Sequence, residues 1–494
     1  MNSERNLEEL LVEVGEFGRF QFNLQLIFFF MRVPQQMQVL ITYFTSLSPT
    51  WVCIDHNSTC ATNLTLSADD TSRCMLARNS WEYSTHSSYS IVTEFDLACG
   101  KEWVANLSTT ITFFGWTMGS IILGWVADKY GRKNILLLSY IFMLTVPLLG
   151  AFSPNVEVFI VSRFITGFFM GGVLVTLLVM AAEFVGPSYR PITCFIVIIA
   201  STVGNALLCF CAYFTQNWQI LSIICTCPYY IALAFWKYLP ESIKWLQSKG
   251  FHFRMNQLLA RIAQTNKKGK QYVNEKLLED DPIITEKNVF ALFNSRSMLL
   301  RSLSQGYGWF AAILGFYGLS LASSDFGIAS LYVNFTLAIL VEIPGSLIAV
   351  YACRRYGRKP STIYPLLGSG FCCVLVALLS ESGWTGWIRL FFGLVGKLSI
   401  TVTFDAIHTW SLELHPTHLR AIGIGYVQVT GRLGGAAAPW IARWLGVYSK
   451  RAPFIVMAVV MLSSALPLLI LPETKDTFEI TEKSPILCNS EVVL

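Results

Sequence analysis

The sequence predicts an all-α membrane protein of twelve transmembrane helices arranged as two pseudo-symmetric six-helix bundles. Three observations carry the prediction. First, 53% of the 494 residues are hydrophobic and only 14% are charged, with a mean hydropathy of +0.51. Soluble domains carry about 25% charged residues, and a water-soluble chain has too little interior to hide this much apolar surface. Second, the apolar residues fall into runs of the roughly 20 residues that a helix needs to cross a bilayer. Third, a loop behind the second run of the first half recurs behind the second run of the second half.

The first six runs are Gln21–Phe44, Thr109–Ala127, Ile135–Phe152, Val156–Val179, Pro191–Phe214 and Trp218–Leu239. The second six are Leu303–Ser320, Ile328–Tyr351, Ser361–Ser380, Ile388–Trp410, Ile422–Leu445 and Ala452–Leu471. Between the sets lies a polar stretch with a basic cluster at Lys267, Lys268 and Lys270 and an acidic Glu279-Asp280-Asp281. The layout is therefore residues 1–239 as an N-terminal half, 240–302 as a cytosolic linker, 303–471 as a C-terminal half and 472–494 as a cytosolic tail. The net charge of +5 is spread over short basic loops at Lys129–Lys133, Arg190 and Arg354–Lys359. That distribution reports orientation through the positive-inside rule: loops and linker share one side, with both termini cytosolic. It gives no basic face for nucleic acid. The polar start, Met1 to Arg19, has no basic leader followed by an apolar core, so no cleavable signal peptide is expected.

The loop 46–104 then falls outside the cell. It holds Cys53, Cys60, Cys74 and Cys99, and the sequons at Asn57 and Asn63. Four cysteines in one translocated loop predict two disulfides, in any of three connectivities. The sequons Asn106-Leu107-Ser108 and Asn334-Phe335-Thr336 are expected to be silent, at the bilayer edge and inside a span.

The repeated loop reads Gly124-Trp125-Val126-Ala127-Asp128-Lys129-Tyr130-Gly131-Arg132-Lys133 in the first half and Arg354-Arg355-Tyr356-Gly357-Arg358-Lys359 in the second. Arg132 and Arg358 are 226 positions apart. Topogenic charge alone would explain the basic residues but not a repeated Tyr-Gly-Arg-Lys. A glycine turn brings two helices together, and the charges can pair with neighbouring helix ends. Asp128 is the only acid in either loop, so only the first copy is expected to form such a pair.

Further stretches follow in order: Pro240-Glu241-Ser242-Ile243-Lys244-Trp245-Leu246, Tyr317-Gly318-Leu319-Ser320, Glu342-Ile343-Pro344-Gly345, and Glu413-Leu414-His415-Pro416-Thr417 with Arg420. With the long cysteine-rich first loop, this combination resembles solute carrier family 22, the organic cation/anion/carnitine transporters of the major facilitator superfamily. Lys244 stands where the family motif has Arg. The resemblance implies a secondary carrier working by alternating access, with no cofactor, and a plasma-membrane location. Its partners would be a small organic ion, the bilayer and a possible coupling ion. It implies gating roles for Asp128, Arg132, Arg163, Glu183, Arg358, Glu413 and Arg420.

Charges inside the membrane are costly and are functional candidates. Asp405 lies eight residues before Glu413, about 12 Å deep, and Arg432 lies eleven residues beyond Ala421, about 16 Å deep, at 1.5 Å per residue. Carriers bind near that level. In the family resembled, an acid in the place of Asp405 accompanies cation transport, and Arg in the place of Arg432 accompanies anion or carnitine transport. Ser346 stands where anion carriers add a Lys. One acid and one base fit a zwitterion such as carnitine or a betaine. Three alternatives stay open: the two charges neutralise each other, Arg432 alone selects an organic anion, or the chain is a non-transporting receptor or scaffold. Arg32 and Gln36 lie in an unusually polar first span and are expected to face the cavity. Trp309 and Tyr317 are candidates for an aromatic wall around a cationic nitrogen, or are packing residues. The role of Lys397 stays open. No phosphate-binding loop, metal-ligand spacing or nucleophile elbow is present in the sequence, so no catalytic or metal residue is expected.

Overall fold

A computed structural model describes residues 7–54, 65–66, 71–186, 189–268, 296–327, 330–380, 383–414 and 420–474. Every predicted run is helical. In the N-terminal half the helices are α1 (Arg19–Thr45), α2 (Trp103–Tyr130), α3 (Arg132–Gly150), α4 (Val156–Glu183), α5 (Arg190–Thr215) and α6 (Trp218–Tyr238), the last tightening to a 3₁₀ turn from Cys227. In the C-terminal half they are α7 (Arg296–Leu321), α8 (Leu331–Arg355), α9 (Arg358–Leu378), α10 (Gly383–Leu414), α11 (Arg420–Pro439, continuing to Tyr448) and α12 (Ala452–Leu469). Among the described residues, nine of these helices are long and apolar enough to span a membrane. The remaining three, α1, α7 and α11, carry Arg32, Gln305 and Arg432 among their side chains.

The chain divides into two compact units, Met1–Asp281 and Pro282–Leu494. In each unit the first helix packs on the fifth, and the fourth packs on both the second and the third, which also meets the sixth. In the first unit α2 and α4 approach through small residues, and a Cβ on Gly119 would run into the Phe168 carbonyl. Where spans cannot gain from hydrophobic contact with each other, such close approach drives packing. The stretch read as linker holds two helices, Ile243–Ser248 and His252–Thr265. Asn266 then fastens it to the N-terminus: its Oδ1 accepts from the Phe20 N–H at 3.0 Å, and its Nδ2 donates to the Val14 carbonyl at 3.2 Å.

Two helices break for readable reasons. Proline cannot donate to the residue four before it and clashes with that carbonyl. Pro344 accordingly interrupts α8 at Val341, leaving Leu331–Leu340 and Glu342–Arg355 as separate segments. In α11, Pro439 precedes a π-turn at Trp440–Trp444.

The loop between α1 and α2 is a small module. Strand β1 (Trp51–Cys53) lies between β2 (Thr65–Leu66) and β3 (Trp81–Tyr83), all antiparallel, with Cys53 opposite Trp81. Trp51 and Trp81 meet edge to face, their centroids 6.0 Å apart, and Arg78 lies 4.2 Å over Trp81 while pairing with Asp96. Cys74 is joined to Cys99, and Cys53 is also disulfide-bonded. Cys60, Asn57 and Asn63 lie outside the described residues. Glu94 ties the module to α6, accepting from Trp218 Nε1 at 2.5 Å and Gln219 Nε2 at 3.0 Å.

The Cys74–Cys99 bridge closes a separation of 25 residues, so its loss is expected to cost on the order of 3 kcal/mol. Cys74→Ser should lower the thermal midpoint of the purified protein and its surface level. An unchanged midpoint would show that the module folds without the bridge.

Candidate functional site

Each signature loop is built into a charge cluster. In the first unit α2 ends at Tyr130, and Gly131 turns the chain with φ +108°, a conformation that disfavours any side chain. Glu241 Oε1 then accepts the N–H groups of Arg132 at 2.9 Å and Lys133 at 3.0 Å. This caps α3 with a carboxylate, where the helix dipole favours negative charge. The Arg132 guanidinium pairs with Asp128 at 3.2 Å and with Glu183, and reaches Ser242 Oγ at 3.4 Å. Ser242 Oγ donates to Glu183.

The second unit repeats the arrangement. Gly357 has φ +104°. Glu473 accepts the N–H groups of Arg358 at 2.9 Å and Lys359 at 3.0 Å. Arg358 pairs with Glu413 at 3.0 Å, and Thr474 Oγ1 donates to Glu413 at 2.5 Å. The expectation that only the first copy can pair is therefore corrected: the partner acids, Glu183 and Glu413, come from outside the loops. The sequence held the signal. Pro472-Glu473-Thr474 repeats Pro240-Glu241-Ser242 at a distance of 232 positions, so the region read as a tail begins with part of the cluster. The side chain of Arg420 is outside the described residues.

Inside the first unit, Arg32 donates to Gln35 Oε1 at 2.8 Å and to Gln36 Oε1 at 3.0 Å, and Gln35 donates to the Met170 carbonyl at 2.8 Å. Arg163, 3% exposed, donates to Gln38 Oε1 at 3.1 Å and to the Gln38 carbonyl at 2.9 Å. The amide oxygens of α1 thus solvate two buried guanidiniums. Buried charges need such hydrogen bonding.

Inside the second unit, Lys397 pairs with Glu342 at 2.9 Å. Its ammonium also donates to Ser320 Oγ at 2.8 Å and the Phe316 carbonyl at 3.1 Å, and lies 3.4 Å from the Phe316 centroid. This pair gives Lys397 a partner that its sequence position did not show. Glu342 was visible only as one letter of a motif, and its signal was an acid beside a helix-breaking proline. Asp405, on α10, lies near Ser346, and its Oδ2 has no hydrogen-bond partner. Among the described residues no ion pair joins Asp405 to Arg432. Arg432 is buried, with Tyr317 beside it. Gly434 is a packing residue, since a Cβ there would meet the Phe310 carbonyl. Trp309 is 1% exposed and donates to Ser411 Oγ at 2.7 Å. Its ring meets His408 with centroids 4.3 Å apart. Trp309 is thus packed within the unit. His408, which the sequence reading passed over, holds the Phe404 carbonyl through Nδ1 at 2.8 Å.

Two units of six helices, with buried charges and matching clusters at the second-helix loops, define a membrane carrier rather than an enzyme. A family model described as Major Facilitator Superfamily matches residues 102–439. Solute carrier family 22 member 3 of Rattus norvegicus is 30% identical over 409 residues, covering 82% of this chain and 73% of its own. Solute carrier family 22 member 13 of Homo sapiens is 26% identical over 522 residues, covering 97% and 93%. The partially occluded inward-open xylose transporter XylE from E. coli superposes with a TM-score of 0.63 at 14% identity, over 92% of this chain and 99% of its own, a likeness of fold. The chain belongs to the major facilitator superfamily and, within it, to solute carrier family 22.

In the first cluster Asp128 has a 69% exposed side chain and Glu183 an 11% exposed one. Exposed pairs contribute about 0–1 kcal/mol, whereas breaking a buried pair costs about 3–5 kcal/mol. Glu183→Gln is therefore expected to impair thermal stability and transport more than Asp128→Asn. Thermal unfolding and uptake at equal surface level check this, and equal losses would contradict it.

Proposed function

We propose that the chain is a secondary transporter of small organic ions working by alternating access, and that its favoured substrates are zwitterions such as carnitine or a betaine. One observation carries the substrate reading. An acid, Asp405, whose Oδ2 has no hydrogen-bond partner, and a buried base, Arg432 beside Tyr317, lie in one unit with the Lys397–Glu342 ion pair. An acid and a base in one unit can take the two ends of a zwitterion: Arg432 the carboxylate, bidentately, and Asp405 the cationic nitrogen. Relatives named for solute carrier family 22 and for organic cation transport support the organic-ion class. Arg32 and Tyr317 complete the proposed binding residues, and Gln36 acts through Arg32. The clusters around Arg132 and Arg358 are the proposed gates, holding one conformation and breaking in the other. The same reading places both termini in the cytosol, the loop 46–104 outside with two disulfides and glycans on Asn57 and Asn63, and the chain in the plasma membrane.

A second reading, an organic anion carrier, is favoured by Arg32 and Arg163. Both are cations in the interior of the first unit, and both are held by amide oxygens in the bonds described above.

Uptake of radiolabelled carnitine, an organic cation and an organic anion into proteoliposomes separates the readings. Arg432→Lys is expected to lose tenfold or more of zwitterion uptake at normal surface level, on the order of 1.5–3 kcal/mol for charged hydrogen bonds. Asp405→Asn should shift selectivity from zwitterions toward simple anions. A stable Arg432→Leu, Asp405→Leu double variant that transports normally would sink the assignment of both residues. No uptake of any of the three probes would favour a receptor or scaffold.

A further inference from the structure

The segment 236–268, which runs from the end of α6 through the two helices that follow, holds seven Lys and Arg residues and a single acid, Glu241. Nothing in the transport reading uses this charge. Beside it opens a cavity of about 320 Å³ lined by Tyr130, Asn134, Pro240, Glu241, Trp245, Leu246, Arg254 and Leu258. Its one acid is already occupied, because Glu241 Oε1 accepts the N–H groups of Arg132, Lys133 and Ser242. The Arg254 guanidinium, the Asn134 amide and the Tyr130 hydroxyl remain as polar groups of the lining. Lys133, next in sequence to Asn134 of the lining, holds its ammonium 4.2 Å over the Trp236 ring, near enough to Glu241 to be attracted by it and to Arg261 to be repelled. Seven bases against one acid in this segment leave positive charge for an outside anion to answer.

The surroundings say where that anion comes from. Trp125 is 64% exposed, Tyr130 59% and Phe253 75%. Lys129 lies 5.3 Å from the centroids of both Trp125 and Tyr130. Aromatic rings beside cations mark the headgroup level of a membrane. A free phosphate would have no use for them, whereas a lipid would set its chains against them and its headgroup in the cavity. Basic pockets at the cytosolic ends of spans are the sites that phosphorylated headgroups fit.

We infer that this cavity binds the headgroup of a phosphoinositide from the cytosolic leaflet, with Arg254, Lys133 and Arg261 holding its phosphomonoesters. The inference rests on the orientation proposed above, but its test needs no substrate. The full chain, purified in detergent, is titrated with short-chain phosphatidylinositol 4,5-bisphosphate, with short-chain phosphatidylserine and with soluble inositol 1,4,5-trisphosphate. The expected result is at least tenfold tighter binding of the phosphoinositide than of the other two. The variant Arg254→Gln, Lys133→Gln, Arg261→Gln should lose that preference at an unchanged thermal midpoint. If the triple variant unfolds, Arg254→Gln alone should weaken phosphoinositide binding by about threefold or more, and Arg254→Lys should restore most of it. Equal binding by wild type and variant overturns the site. Equal affinity for phosphatidylserine reduces it to a diffuse basic surface, and equal affinity for the soluble headgroup overturns the lipid assignment. Transport failure in every assay would leave this result standing, so the two readings fail separately.

Discussion

A charge taken into lipid must find its counterpart inside the protein, because no water is there to supply one. The interior of this chain is organised around that constraint. Where a base and an acid could be placed together, they form an ion pair, as at Lys397 and Glu342. Elsewhere amide oxygens take part, as the glutamines of α1 do for Arg32 and Arg163. At the helix ends backbone N–H groups play the cation, and Glu241 and Glu473 are the anions that answer them. Polar residues that look wasteful in a spanning helix are thus the means by which the functional charges are tolerated.

The two clusters show how duplication can preserve chemistry while letting letters drift. Both units keep a glycine with positive φ, an arginine, a capping glutamate and a hydroxyl that bridges to a second glutamate. The first adds Asp128, and the second has Arg354 in its place. In the second, Arg358 reaches the Cys353 carbonyl at 3.4 Å instead. The glycine is fixed by geometry as well as by φ: a Cβ on Gly131 would lie 2.7 Å from Glu241 Oε2, and one on Gly357 2.7 Å from Glu473 Oε2. The carboxylate can cap the helix only because that corner is empty.

The twelve helices were legible because a membrane span is a one-dimensional signal, an apolar run of fixed length. The repeat of Tyr-Gly-Arg-Lys was legible because its residues are adjacent. What escaped was everything that depends on which helices meet. Lys397 and Glu342 lie on different helices, and no spacing rule connects them. Glu473 was hidden by its position in a segment that composition assigns to a tail. Trp309 could not be placed from sequence, because an aromatic in a membrane helix looks the same whether it lines a cavity or fills a core; its bond to Ser411 was not visible there. Asp405 and Arg432 stood out from depth alone, since a charged letter inside an apolar run is noticed whatever it meets.

The module between α1 and α2 is anchored as well as folded. Glu94 grips the first turn of α6 through both an indole and an amide, and the sheet is closed by a disulfide and a pair of buried indoles. The described part of the loop is thereby fastened to the unit that carries it. A binder raised against its sheet would therefore hold the first six helices by a firm handle, and would add mass and a fiducial shape for imaging.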